Sequence, residues 1–325
     1  MRPVPEQLLT PYGVFCGIST IEYNGDSAVR NIRLTEKNVL VSHAGELVPA
    51  YTADNPRKKY KPSVSFHPNG MVKSVSLEEQ QEVMTPIGEF PAELVTFYSS
   101  GELRRVFPLD GKISGFWPEE EERALNIPLH FSLGFTDFSA LLTGICFYKS
   151  GAIRSITLFP KEEIDVIIPG SCVRTRKGFS MYENGALQSL EPAVPTPVKT
   201  PVGVLTAYDE TCDGICADDC SLHFDEQGRV ESAVTSSDRI AVISKESSTL
   251  YFAPAMRPSL VDETAVMRVP IRLSFDYAEN AARIIDADGK GHCFPLSEST
   301  FHVYPNAVGG CSPQQCASCR LCQRP

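Results

Sequence analysis

Residues 145–158 read ICFYKSGAIRSITL, two short runs of β-branched and aromatic residues on either side of Tyr-Lys-Ser-Gly. That composition with a central glycine is the signature of a β-hairpin. The glycine is explained by the turn, which needs a positive φ that a Cβ would penalise. After Gly151, apolar residues fall at the second and fifth positions, Ile153 and Ile156. Strict alternation would place them an even number of residues apart, so the pattern predicts a bulge or a change of face beside the turn.

The same unit recurs as VSFHPNGMVKSVSL (64–77), VTFYSSGELRRVFPL (95–109), FSMYENGALQSLEP (179–192) and LHFDEQGRVESAVT (222–235). Each copy carries an aromatic or Met, three residues, a glycine and the same two apolar positions. Weaker copies stand at IEYNGDSAVRNIRL (21–34) and LSFDYAENAARIID (273–286). Recurrence of one supersecondary unit predicts a repeat array rather than a conventional core. A second motif, TPYG (10–13), TPIG (85–88) and TPVG (200–203), reads as a corner leading into a strand, with Pro setting φ and Gly making the turn. Helix is scarce. One start is legible at Trp117-Pro118, where Glu119 to Glu122 place acids in the first turn of a helix with a solvated face.

The segments FYSSGELRRV, FYKSGAIRSI and MYENGALQSL resemble MORN-type repeats, in patches over about residues 60–240. The resemblance implies stacked β-hairpins in an open twisted sheet used for scaffolding, protein contact or lipid contact; some bacterial relatives of the variant form are called antitoxins. The fold expected is therefore mostly β, an irregular array of antiparallel hairpins, with a β-propeller as the alternative. Four segments follow: a repeat-like N-terminal part (1–60), the hairpin repeats (61–245), a C-terminal β segment (246–305) and a cysteine-rich tail (306–325).

Composition sets outer bounds. The 325 residues carry 40 acids against 30 bases, a net charge of −10, which argues against a dedicated nucleic-acid binder needing a basic face. The basic run Arg57-Lys58-Lys59-Tyr60-Lys61, between two prolines, reads as a solvated loop. No apolar run approaches the roughly 20 residues of a membrane span, and MRPVPEQLLTPYG lacks the apolar stretch of a signal peptide. The expectation is a cytoplasmic protein with a protein partner; the oligomeric state stays open.

Eleven cysteines are an odd number, which does not suit a disulfide framework. Cys16, Cys146, Cys172 and Cys293 stand alone in apolar or strand-like settings and are read as small hydrophobes. Comparing internal copies isolates three others. Gly88 to Phe97 is nine residues, whereas Gly203 to the equivalent Phe224 is twenty-one, and DETCDGICADDC (209–220) fills the difference. Cys212, Cys216 and Cys220 all lie in that insertion. Their spacing suits three thiolates around one metal or a ligand-free loop, and fits a calcium loop poorly because Thr211 and Cys220 stand where such a loop wants an acid or amide and a bidentate Glu. The tail adds Cys311, Cys316, Cys319 and Cys322, whose x₄, x₂, x₂ spacing resembles iron–sulfur ligation of the [4Fe–4S] or [2Fe–2S] kind. Zinc is the alternative, although structural zinc usually takes two Cys pairs separated by a loop. Insertion and tail could share one site.

The six histidines, His43, His67, His130, His223, His292 and His302, are scattered, and no His-Glu-x-x-His, Gly-x-Ser-x-Gly or Gly-rich nucleotide loop is present. The reading is thus a non-enzymatic interaction scaffold with a cysteine-ligated metal site assisting a metal or redox partner. An iron–sulfur electron carrier is one alternative, and a plain scaffold or antitoxin-like binding protein with no metal is another.

Overall fold

The computed structural model describes residues 4–305 apart from 26–27, 53–54, 56, 59–60, 115–116, 213–215, 246–247 and 259–265. The tail cysteines Cys311, Cys316, Cys319 and Cys322 lie outside the described residues. The described residues are mostly β, in open antiparallel sheets, and among them no sheet closes into a barrel. It forms two compact units, one comprising the chain up to Glu191 with residues 215–220, the other residues 192–214 and the chain from Ser221 on.

In the first unit the principal sheet runs in hydrogen-bonded order through Ile18–Tyr23, Val29–Leu34, Val64–Phe66, Val72–Thr85, Gly88–Phe97, Leu103–Phe107, Leu142–Phe147, Ile153–Leu158, Ser171–Met181 and Leu187–Pro192, with Glu163–Ile168 paired beside Ser171–Met181. Because neighbours pair without a break into four-stranded blades, the propeller alternative gives way to the open sheet.

Register explains why these residues form this sheet. Ile32, Val64, Val75, Val95, Val106, Ile145, Ile156 and Phe179 stand opposite one another across successive strands. None is more than 1 % exposed. Each such side chain contributes roughly 1.5–3 kcal/mol when taken out of water, so the row is the spine of the core. Phe135 and Phe138 of the hairpin Leu129–Leu133/Thr136–Ala140 lie edge-on to Phe179, with ring centroids 5.2 and 6.2 Å away, and cap one end of the row. In the second unit Leu222, Ala233, Leu273 and Ile284 form a comparable buried row. There Phe252, His292, Phe294 and Phe301 add an aromatic cluster.

The bulge expected from the apolar spacing is present. Register shifts occur between Ser65 and Phe66, Leu103 and Arg105, Cys146 and Phe147, and His223 and Phe224. Each turn closes the same way. Tyr148 N donates to Ala152 O at 2.8 Å and Gly151 N to Tyr148 O at 3.0 Å, and the turns at Gly70, Gly101, Gly185 and Gly228 repeat that pair. Gly151 has φ 92°. In the 273–286 copy, which lacks the glycine, Asn280 takes a positive φ of 49°, a conformation its short polar side chain tolerates.

Three expectations need correction. The Thr-Pro-x-Gly segments are not corners leading into strands but the tips of their own hairpins, with Thr10 opposite Gly13, Thr85 opposite Gly88 and Thr200 opposite Gly203. The Thr85 hydroxyl accepts from Ile87 N at 3.3 Å and donates to Gly88 O at 2.6 Å, closing the tip locally; the other two do the same. The basic run is not simply a solvated loop either. Arg57 and Lys58 turn inward onto acids that the sequence places far away. The helix Glu119–Leu125 is present, but its Glu122 is buried rather than solvated.

Candidate functional site

One residue away from each member of the apolar row, the pleat turns a side chain to the opposite face. In the first unit that second row reads Glu22, Asn31, Ser65, Ser74, Thr96, Arg105, Cys146, Ser155 and Ser180. It continues through the 2.6 Å contact of Ser180 Oγ with Ser189 Oγ. In the second unit the same positions hold His223, Ser232, Ser274, Arg283 and Cys293. The five strong copies thus contribute polar or thiol side chains five residues before and four residues after their glycine. Charges, hydroxyls and thiols gather on one face because the repeat fixes the register, not because they are close in sequence.

In the first unit the end of the insertion lies on this row. Asp218 accepts from Ser155 Oγ at 2.5 Å and forms an ion pair with Arg105 Nη2, while Ala217 N donates to Thr157 Oγ1 at 3.2 Å. Cys216 Sγ lies 3.4 Å from Arg105 Nη1. Burial disfavours the Arg105 guanidinium, but hydrogen bonds and charge interactions with Cys216 and Cys146 outweigh it and raise its pKa. Arg105, Cys146, Ser155, Thr157 and Cys216 line a cavity of about 60 Å³ with Phe107, Thr143, Gly144 and Ile145. Gly178 admits the insertion: a Cβ there would stand 3.1 Å from that of Ala217 and 1.9 Å from the Ile156 carbonyl oxygen.

The expected ligand set is placed as follows. Cys212 belongs to the second unit, Cys216 and Cys220 to the first. Cys216 is exposed over the polar row, whereas Cys220 is buried, its thiol directed at the carbonyls of Ala217 (3.7 Å) and Gly178 (3.9 Å). Among the described residues no group of three or more His, Cys, Asp or Glu is placed to hold a metal ion. Sequence reasoning passed over Arg105 and Ser155 and set Cys146 aside as a lone hydrophobe. Two signals were available: the polar residue at a fixed place in every copy, and the glycines at 144 and 178, which precede the repeat strand in the 145–158 and 179–192 copies.

A second charged cluster is structural. Arg57 donates to Glu93 from Nη1 and Nη2, both at 2.9 Å, and to Glu122 from Nε at 2.9 Å and Nη2 at 2.8 Å. Asp110 N also bonds Glu93 at 2.8 Å, and Gly111 N and Trp117 Nε1 bond Glu122 at 2.7 and 2.5 Å. Lys58 Nζ donates to Leu77 O at 2.6 Å, and burial pushes its pKa down. With the carboxylate oxygens already engaged, the cluster acts as a clamp joining Arg57 and Lys58 to the sheet and the helix.

No protein-family model, curated protein or solved structure matches this chain.

Proposed function

We propose that the protein is a non-enzymatic β-hairpin repeat scaffold that binds a protein partner along its polar row and uses clustered cysteines to hold a metal for that partner. The row carries the reading. In the first unit its accessible members, Glu22, Asn31, Ser74 and Arg105, offer hydrogen-bonding groups on a sheet whose strands lie about 4.8 Å apart, whereas Ser65, Ser155, Ser180 and Ser189 are buried. Asp218, seated on Arg105 and Ser155, is an example within the chain of what such a row can hold. The resemblance to MORN-type repeats supports the same class. For the metal, the spacing of Cys311, Cys316, Cys319 and Cys322 favours an iron–sulfur cluster over zinc.

Each half has its own test. For the platform, wild-type protein and the Ser74→Arg variant are used as baits in the native cells. A partner retained by the wild type and lost from the variant is expected; identical partner sets would overturn the platform. For the metal, protein purified without oxygen is measured for metal content and visible absorption. Iron with broad absorption near roughly 400 nm, lost when the tail cysteines become serine, is expected. Colourless stoichiometric zinc would make the tail a structural clip, and reproducible absence of metal after reconstitution would remove that half.

A further inference from the structure

Cys146 and Cys216 are distant in sequence, yet both line one cavity with Arg105. Cys146 stands in register with Arg105 on the neighbouring strand and is 2 % exposed. Cys216 reaches Nη1 of that guanidinium at 3.4 Å and is exposed. The chain beyond Cys216 is pinned over the same strands, since Asp218 bonds Ser155, which is the register partner of Cys146. Both cysteines line the same small cavity.

We propose that Cys146 and Cys216 form a thiol–disulfide modification site, with Cys216 the attacking thiol and Cys146 the resolving one, whose disulfide latches the insertion to the polar face. Exposure assigns the roles, because the first thiol must reach an oxidant and the second must not. The Arg105 guanidinium, with Nη1 3.4 Å from the Cys216 sulfur, is placed to stabilise negative charge that develops on the sulfurs during exchange. Asp218 faces the same guanidinium and offsets part of its charge, but it engages Nη2 and leaves Nη1 to the Cys216 sulfur.

The oxidant is a small-molecule disulfide of the glutathione class. The Cys216 thiolate attacks one of its sulfurs, the S–S bond breaks, and the first thiolate leaves. The Cys146 thiolate then attacks the Cys216 sulfur of the mixed disulfide and expels the second. Two electrons pass to the oxidant, and the two cysteine protons end on the two released thiols. Arg105 swings toward solvent as the sulfurs close; its side chain is 22 % exposed.

The test uses the full chain, incubated with oxidised glutathione, alkylated to block remaining thiols, and mapped by mass spectrometry. A reductant-sensitive Cys146–Cys216 cross-link is expected. Cys146→Ser should leave Cys216 as the glutathione mixed disulfide, and Arg105→Met should slow Cys216 modification several-fold at unchanged circular dichroism. Should Cys146→Ser fail to fold, Cys216→Ser, at an exposed site, serves instead and should leave Cys146 unmodified. Wild-type Cys216 that stops at the mixed disulfide, or pairs with another cysteine, would overturn the proposal.

Discussion

The phenolic oxygen of Tyr98 donates to the carbonyl oxygen of Phe147, in the next repeat, at 2.8 Å. Tyr148 makes the same bond to Met181 O at 2.9 Å, and His67 Nε2 lies 3.0 Å from Phe97 O. In these three copies the residue three places before the turn glycine therefore ties a hairpin to its successor. Tyr98→Phe keeps the ring and removes the bond, and should lower stability by about 1 kcal/mol, with a carbonyl left short of a donor. Tyr98→Phe/Tyr148→Phe should lose close to the sum, since the two bonds share no partner. Denaturant midpoints at constant m-value measure both.

Gly178 and Gly88 have nearly the same φ, 117° and 112°, in different surroundings. A Cβ at Gly88 meets nothing within 4 Å, so Gly88→Ala should cost only backbone strain, about 1–2 kcal/mol. A Cβ at Gly178 strikes the Ile156 carbonyl and crowds Ala217. Gly178→Ala should cost at least about 3 kcal/mol and should raise hydrogen exchange in residues 216–220. Equal losses at the two sites would show that the insertion does not need this glycine.

Much of the fold was legible because it depends on a local signal repeated many times. The aromatic-x₃-Gly spacing fixed turn, bulge and apolar row together, and each copy confirmed the others. What could not be read were features made by register between repeats. Arg105 and Ser155 look like ordinary strand residues until pairing sets both beside Cys146. Arg57 looks solvated until the sheet brings Glu93, and the helix brings Glu122, to its guanidinium. The Thr-Pro-x-Gly tips were misread for a related reason: their closure lies in a Thr hydroxyl bonding across its own turn, a contact that turn composition alone does not specify.

The Arg57 clamp should make stability acid-sensitive. Burial alone would push the Glu122 carboxyl up, but hydrogen bonds from Arg57 and Trp117, the charge of Arg57 and the Gly111 amide outweigh it and hold the carboxyl below its ordinary value of 4.5. A carboxyl depressed in the folded state contributes stability that is fully present above the unfolded value and is lost as pH falls through the folded one. Stability should therefore be insensitive to this group from neutrality to about pH 5 and decline below about 4.5. Glu122→Gln should flatten that decline and cost about 3 kcal/mol or more at pH 7, since Arg57 then loses one charged partner in a buried site. Thermal midpoints of both proteins between pH 3 and 7, about the span of a carboxylate titration, measure the difference.

Asp218 holds the insertion by one ion pair and one hydrogen bond, and its side chain is 24 % exposed. Solvent screening limits what such a pair gives to global stability, so Asp218→Asn should change it by no more than about 1 kcal/mol. The local effect should be larger. Asn can still accept from Ser155, but it cannot balance the charge of Arg105, so residues 216–220 should lift from the row more often. Limited proteolysis should cut the variant within 209–220 several-fold faster than the wild type, while cleavage elsewhere stays unchanged. A uniform rise in cleavage would instead mark Asp218 as part of the global fold, and no change would mean that Ala217 on Thr157 and buried Cys220 suffice to hold the segment down.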